Sequence, residues 1–205
     1  MPDQRPFPRG SAISAIVLLA IAGFATQAMV RVTDSLLPQI AADLNASVGA
    51  TAIIVTMYLL GHGSVQLVIG PIGDRFGKYF CMATAAAAAS VLVALCGLAG
   101  SLPQPVAARL GSGLAAGAII PLALAFVGDV IPYQRRQPVL GRFISGNILG
   151  QLFGQAAGGV LGDYFGWRNV FFLLAGLLAL SALGLFYELA RNPVTHASAA
   201  PERPS

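Results

Sequence analysis

Charged side chains are scarce in this chain of 205 residues. Lys, Arg, Asp and Glu together make up 10% of it, where a water-soluble domain carries roughly a quarter. Apolar residues make up 56%, more than a core of this size can hide from water. A soluble globular protein is therefore excluded, and the bilayer is the solvent implied. Cysteine is nearly absent. Cys81 and Cys96 share one apolar run, and on a helix they stand about 22 Å apart, too far for a disulfide. No zinc-ligand spacing exists, so both are expected to pack as small apolar side chains. Neither a metal nor a cofactor is expected.

Other absences narrow the function. There is no G-x-x-x-x-G-K-[ST] loop, so nothing suggests ATP hydrolysis. The stretches "GHGS" (Gly61–Ser64) and "GSG" (Gly111–Gly113) are not G-x-S-x-G elbows, and Ser112 has no evident base. An enzyme is not expected. The period-2 alternation of a membrane barrel is missing. The net charge of +4 reports topology in a membrane protein and is no sign of nucleic acid.

What is present is a series of six apolar runs: 12–40, 50–69, 79–99, 104–126, 139–161 and 170–189. Each supplies the ~20 residues that a helix needs to cross the hydrocarbon. Helices keep every backbone hydrogen bond internal, as lipid demands. The first run, with Arg5 and Arg9 before it, resembles a signal peptide but is longer than the usual signal core, and is read as a first transmembrane helix. The connections "NASVG", "GPIGDRFGK", "SLPQP", "PYQRRQP" and "DYFGWRN" carry helix-stopping residues. The expected organisation is a cytoplasmic segment 1–11, an all-α domain of six transmembrane helices over 12–190, and a disordered cytoplasmic tail 191–205. Arg5, Arg9, Arg75, Lys78, Arg135, Arg136, Arg142, Arg191 and Arg203 fall on one side and Arg168 on the other. Both termini are then cytoplasmic in the cell membrane. Arg31 and Arg109, each near the outer end of the first helix of a three-helix block, suggest two three-helix repeats.

Polar residues inside such runs are expensive, and usually face a cavity, a partner or the interface. Arg31 and Asp34 lie three apart on one helical face. They fit either a proton-accepting site or an ion pair that snorkels outward. Arg109 is a further candidate partner for Asp34. Tyr58, His62 and Gln66 form a stripe that either lines a pathway or hydrogen-bonds the bundle together. Histidine is the side chain that ordinarily changes charge near neutrality. Gly146, Gly150, Gly154, Gly158 and Gly162 recur every four residues, with Asn147, Gln151 and Gln155 alongside. That spacing predicts close helix approach, with the amides toward a cavity.

Several of these stretches resemble the major facilitator superfamily. "GPIGDRFGK" is similar to its cytoplasmic signature between the second and third helices, matched at Gly70, Asp74, Arg75, Gly77 and Lys78. Tyr79 stands where a second cation is usual. "TDSLLPQIAADL" resembles the end of helix one in drug:proton antiporters, and "ARLGSGLAAGAIIP" the fourth-helix motif, with Arg109 as its arginine. "GQLFGQAAGGVLG" resembles the antiporter motif of helix five at Gly150, Gly154, Gly158 and Gly159, with Gln155 in place of the proline.

The resemblance implies the N-terminal six-helix half of that fold and proton-coupled efflux of small molecules by alternating access. Asp34 would carry the proton, and Arg31 and Arg109 would hold and release its charge. Tyr58, His62, Asn147 and Gln151 would line the pathway. Asp74 would gate by meeting a helix N-terminus of the other half, in a tight turn made by Pro71, Gly73 and Gly77. Small molecules, protons and the lipid bilayer are the expected partners. The missing second six-helix half would come from another copy or a separate chain; otherwise the chain is a truncated half that transports nothing.

Overall fold

The computed structural model describes residues 9–195, with side chains from residue 13. The described residues contain helices and their connections, and no strand. In order these are α1 (Arg9–Asp43), α2 (Val48–Thr51), α3 (Ile53–Gln66), α4 (Ile69–Phe76), α5 (Lys78–Gly97), α6 (Pro103–Gly117), α7 (Ile119–Val130) and α8 (Tyr133–Arg191). Among the described residues, five stretches are long and apolar enough to cross a membrane: Ile13–Asp43, Val48–Gln66, Lys78–Gly97, Pro103–Val130 and Tyr133–Arg191.

Local chemistry explains the ends. α1 stops at Asn45, which takes the left-handed conformation (φ 52°). The Ala46 N–H then donates to Ala41 O at 2.9 Å and the Asn45 N–H to Ala42 O at 3.3 Å, a Schellman closure of the orphan carbonyls. Ser47 Oγ accepts from the Ala50 N–H at 3.1 Å and starts α2. Pro103 opens α6, where its missing N–H costs nothing.

Three expectations change here. "GPIGDRFGK" is not a tight turn throughout: residues 69–76 form α4, and only Gly77, at φ 93° and ψ 121°, turns the chain into α5. "DYFGWRN" is not a loop. Its residues are helical except Gly166, at φ 76° and ψ 155°, so one residue bends what would otherwise run ~88 Å as a single helix. Finally, the tail is folded to Thr195. The Asn192 N–H donates to Glu188 O, Asn192 Oδ1 accepts from the Val194 N–H, and Asn192, Val194 and Thr195 are buried. The rest of the tail, and residues 1–8, lie outside the described residues. α1 begins at Arg9, within the segment expected to precede the bundle.

The bend at Gly166 is braced from both sides. Gln39 Nε2 donates to Asp163 Oδ1 at 2.9 Å before it. After it, Asp43 Oδ2 accepts from Trp167 Nε1 at 2.9 Å and from Arg168 Nη1, while Arg168 Nη2 donates to Ala99 O at 3.1 Å. The ends of α1 and α5 thus grip the second arm of α8. A Cβ at Gly166 would meet nothing within 4 Å, but that φ/ψ region belongs almost to glycine alone. Gly166→Ala is therefore expected to lower stability by about 1–3 kcal/mol through backbone strain. Thermal unfolding in detergent checks this, and an unchanged melting temperature would mean that the bend relaxes freely.

The core is built from close helix pairs. The first arm of α8 lies on α1: a Cβ at Gly150, Gly154 or Gly158 would collide with the carbonyl oxygens of Phe24, Ala28 and Val32. The second arm lies on α5, where Ser90 Oγ donates to Ala175 O at 2.8 Å and Gly97 admits the Phe172 ring. α3 and α6 cross at Gly61, Gly113 and Gly117, whose missing Cβ atoms leave room for the carbonyls of Leu110, Tyr58 and His62. Small residues at contacts are how helices associate where lipid offers no hydrophobic drive. Large apolar side chains point outward instead, among them Leu67 (86% exposed), Leu180 (69%) and Leu98 (68%), as suits a surface covered by lipid or protein.

Candidate functional site

The glycine crossing of α3 and α6 decides where the polar side chains go. It draws the two backbones together beside α1, and Arg109, two turns into α6, enters that junction. Arg109 is fully buried. Its Nη2 donates to Met29 O on α1 at 3.1 Å, and its guanidinium carbon lies 3.9 Å from the centre of the Tyr58 ring on α3, a cation–π contact. His62, one turn along, has its ring 5.6 Å from that of Tyr58.

The cation is underserved: among the described residues, Arg109 Nε and Nη1 have no hydrogen-bond partner, nor have Tyr58 Oη, His62 Nδ1, or the hydroxyls of Thr26 and Thr33 on α1. Asp34 lies five residues along α1 from Met29, whose carbonyl Arg109 holds, but is not paired with Arg109. Its partner is Arg31, at 3.4 Å, with the two side chains 34% and 54% exposed respectively. The partly exposed carboxylate, on α1 like Met29, and the buried guanidinium are thus neighbours without contact.

The sequence candidates therefore divide. Arg109, Tyr58 and His62 come together, with Asp34 and Arg31 as a separate pair nearby. Arg31 is exposed where Arg109 is buried, so the two arginines taken as signs of a repeat occupy unlike surroundings. Gln66, third in the α3 stripe, is exposed. Asn147 is buried against Gly23 in the α1–α8 seam, Gln151 is half-buried and Gln155 exposed.

The close approach expected of the glycine motif is made with α1 of the same chain. Within it, Gly159 only grazes Ser35, and Gly146 has nothing within 4 Å and takes no part in the packing.

At the other end of the bundle, Lys78 Nζ bonds Asp74 Oδ1 at 2.9 Å and Asp129 Oδ2, at the end of α7, at 2.8 Å. Lys78 is nearly covered (13% exposed), while Asp74 is open (66%). Arg75 stacks on the ring of its neighbour Phe76 at 5.3 Å. Gly70 is exposed with nothing near it. The sequence reading missed Asp129: its partner is 51 residues away, and the only signal was an acid closing the fourth apolar run. It also missed the clasp of Asp43 with Trp167 and Arg168. "GHGS" and "GSG", considered for a serine site, supply Gly61 and Gly113 of the α3–α6 crossing.

Residues 19–204 match the Major Facilitator Superfamily. The chain is 34% identical over 157 residues to a triacylglyceride transporter of Mycobacterium tuberculosis, covering 73% of this chain and 29% of that protein. It is 31% identical over 157 residues to an uncharacterized MFS-type transporter of Bacillus subtilis, covering 76% and 38%. Among solved structures it is similar to a bacterial homolog of the human lysosomal transporter Spinster, inward-facing and unoccupied. The TM-score is 0.74 and the identity 18%, over 99% of this chain and 46% of the other. It is also similar to a D-xylose–proton symporter, with a TM-score of 0.70 and 17% identity, over 85% and 48%. At these identities the structural likeness speaks to the fold. The chain spans less than half the length of each of these four proteins.

Proposed function

The chain belongs to the Major Facilitator Superfamily, and from that membership we propose that it forms the N-terminal six-helix half of a secondary transporter that exports small amphipathic molecules in exchange for protons. The five long apolar helices become six spans if α8 crosses the membrane twice, bending at Gly166. The excess of Arg and Lys on the loops of one side supports cytoplasmic termini. A counterpart bundle would dock against the open Asp74 and complete the pathway. The relatives named above are transporters, which supports transport rather than catalysis.

The observation that carries this reading is the buried Arg109, with two donor nitrogens that have no partner among the described residues, held on the same helix that bears Asp34. A guanidinium in such surroundings is costly unless its charge is used. Asp34 meets Arg31 now, and a modest shift of α1 against α6 would let it meet Arg109. A carboxylate that alternates between an exposed partner and a buried one is the group we assign to proton coupling. The few polar groups at the junction, mostly neutral, suit a substrate with a large apolar part.

The test is drug-dye accumulation in inside-out vesicles from cells expressing the chain with its counterpart, driven by an imposed pH gradient. Asp34→Asn is expected to abolish the pH-driven component, by more than about tenfold, while dye still binds. Full pH-driven uptake by that variant would overturn the assignment.

A further inference from the structure

The buried polar atoms without partners are not scattered. Thr26, Met29 and Thr33 are spaced by three and four residues, so they share one face of α1. Met29 on that face carries the carbonyl that Arg109 holds. Thr26 Oγ1 and Thr33 Oγ1, one turn to either side, are fully buried and unpartnered. Arg109 Nε and Nη1 face the same junction, and Tyr58 Oη and His62 Nδ1 follow on α3. Asn147 Oδ1, also unpartnered, sits against Gly23, one turn before Thr26. From Gly23 to Thr33 the helix rises about 15 Å.

We propose that a file of bound water runs inside this bundle along that face of α1, from Asn147 past Thr26 and Arg109 to Thr33, with a branch over Tyr58 to His62. The donor–acceptor inventory chooses the occupant. Arg109 offers only donors, Asn147 Oδ1 only accepts, and the hydroxyls do both. An anion would serve Arg109 and Tyr58 and leave Asn147 Oδ1 bare. Water donates and accepts, and a buried water needs two to four polar partners, a need that donors and acceptors alternating along α1 can meet. Buried orphans in a native protein call for such an occupant. The file ends beside Asp34, and so connects the proposed proton carrier to the interior through groups that belong to this chain alone. Its use in proton transfer rests on the function proposed above; its existence does not.

Hydroxyl-radical labelling by a short X-ray pulse, on the protein with its counterpart in lipid, reads the water directly. Internal waters are split in place, so a scavenger added to the bulk protects exposed side chains and not those along the file. Tyr58 is fully buried, Tyr133 is 80% exposed, and Met82 is fully buried among apolar neighbours. Tyr58 is expected to label several-fold faster than Met82, with the scavenger suppressing Tyr133 and sparing Tyr58. Thr26→Val with Thr33→Val keeps the shape and removes both hydroxyls. In that double variant, Tyr58 labelling should fall several-fold with the melting temperature held. Tyr58 labelling as slow as Met82 would mean a dry junction and overturn the proposal. Labelling that ignores both valines would mean that no file runs along α1, and overturn it equally. Protection of Tyr58 by an added anion would give the site to an anion instead. Transport lost in Asp34→Asn with Tyr58 still labelled leaves the file standing, whereas labelling absent with pH-driven export intact removes the file alone.

Discussion

Gly113→Val is expected to prevent the bundle from forming. Gly113 lies where α6 crosses α3, and any Cβ there would collide with the carbonyl oxygen of Tyr58 and crowd the His62 nitrogen. Those are backbone atoms held in a helix and cannot swing aside. The two helices must separate, and Arg109 then loses both its cation–π contact with Tyr58 and its bond to Met29 O. The loss should exceed about 4 kcal/mol, the range in which a single change is diagnostic of a steric or core defect. Fluorescence-detected size exclusion from solubilised membranes reads this as loss of the monodisperse peak. Gly63 supplies the control on α3, since nothing lies within 4 Å of a Cβ there. Gly63→Ala should hold stability or raise it by about 0.5–1 kcal/mol, the helix preference of alanine over glycine. If Gly113→Val folds as well as Gly63→Ala, the close crossing is wrong.

Arg109→Met should separate stability from function in the opposite sense. Arg109 is fully buried, makes one hydrogen bond, and has no ion-pair partner among the described residues. Methionine fills a similar elongated volume without a charge to desolvate. Replacing buried ionic groups by apolar ones of like volume is often neutral or stabilising by ~1–4 kcal/mol. The melting temperature of Arg109→Met is therefore expected to stay level or rise, even though a cation–π contact is lost. On the function proposed above, proton-coupled export should fall by more than about a hundredfold, because Asp34 keeps Arg31 but loses the buried cation with which it would alternate. Arg109→Lys keeps the charge as a point on a flexible stem and gives up the fork, so partial coupling is expected from it. A variant with methionine that is strongly destabilised, or that still couples, would show that Arg109 serves packing alone.

Much of the fold was legible because its causes are local. Asn45 stops α1 and Ser47 starts α2 through bonds that reach no further than five residues. Gly77 turns the chain because only glycine takes φ 93° easily. The same local logic did not reach the start of the tail. Composition marked it as polar, yet Asn192 caps its own helix, and Val194 and Thr195 are buried. The site was legible as a set of residue types and not as an arrangement. Asp34 and Arg109 were both chosen, but Asp34 meets Arg31. Asn147 was chosen as a polar residue in an apolar run, but its place against Gly23 in the α1–α8 seam was not foreseen. Thr26 and Thr33 drew no notice, since a threonine in an apolar run is ordinary until its neighbours are known.

By itself, the amino-acid sequence determined that this chain lives in a membrane, that it crosses as helices, and which residues could carry charge there. Each of these follows from what a bilayer demands of a backbone and of a side chain one segment at a time. The tertiary structure alone decided that Gly61 and Gly113 close one crossing while Gly150, Gly154 and Gly158 close another. It also decided that Lys78 joins Asp74 to Asp129, and that Arg109 is left with donors to spare. Those outcomes depend on which helical faces meet. In lipid, no residue's own hydrophobicity dictates that choice; the fit of one surface to another does.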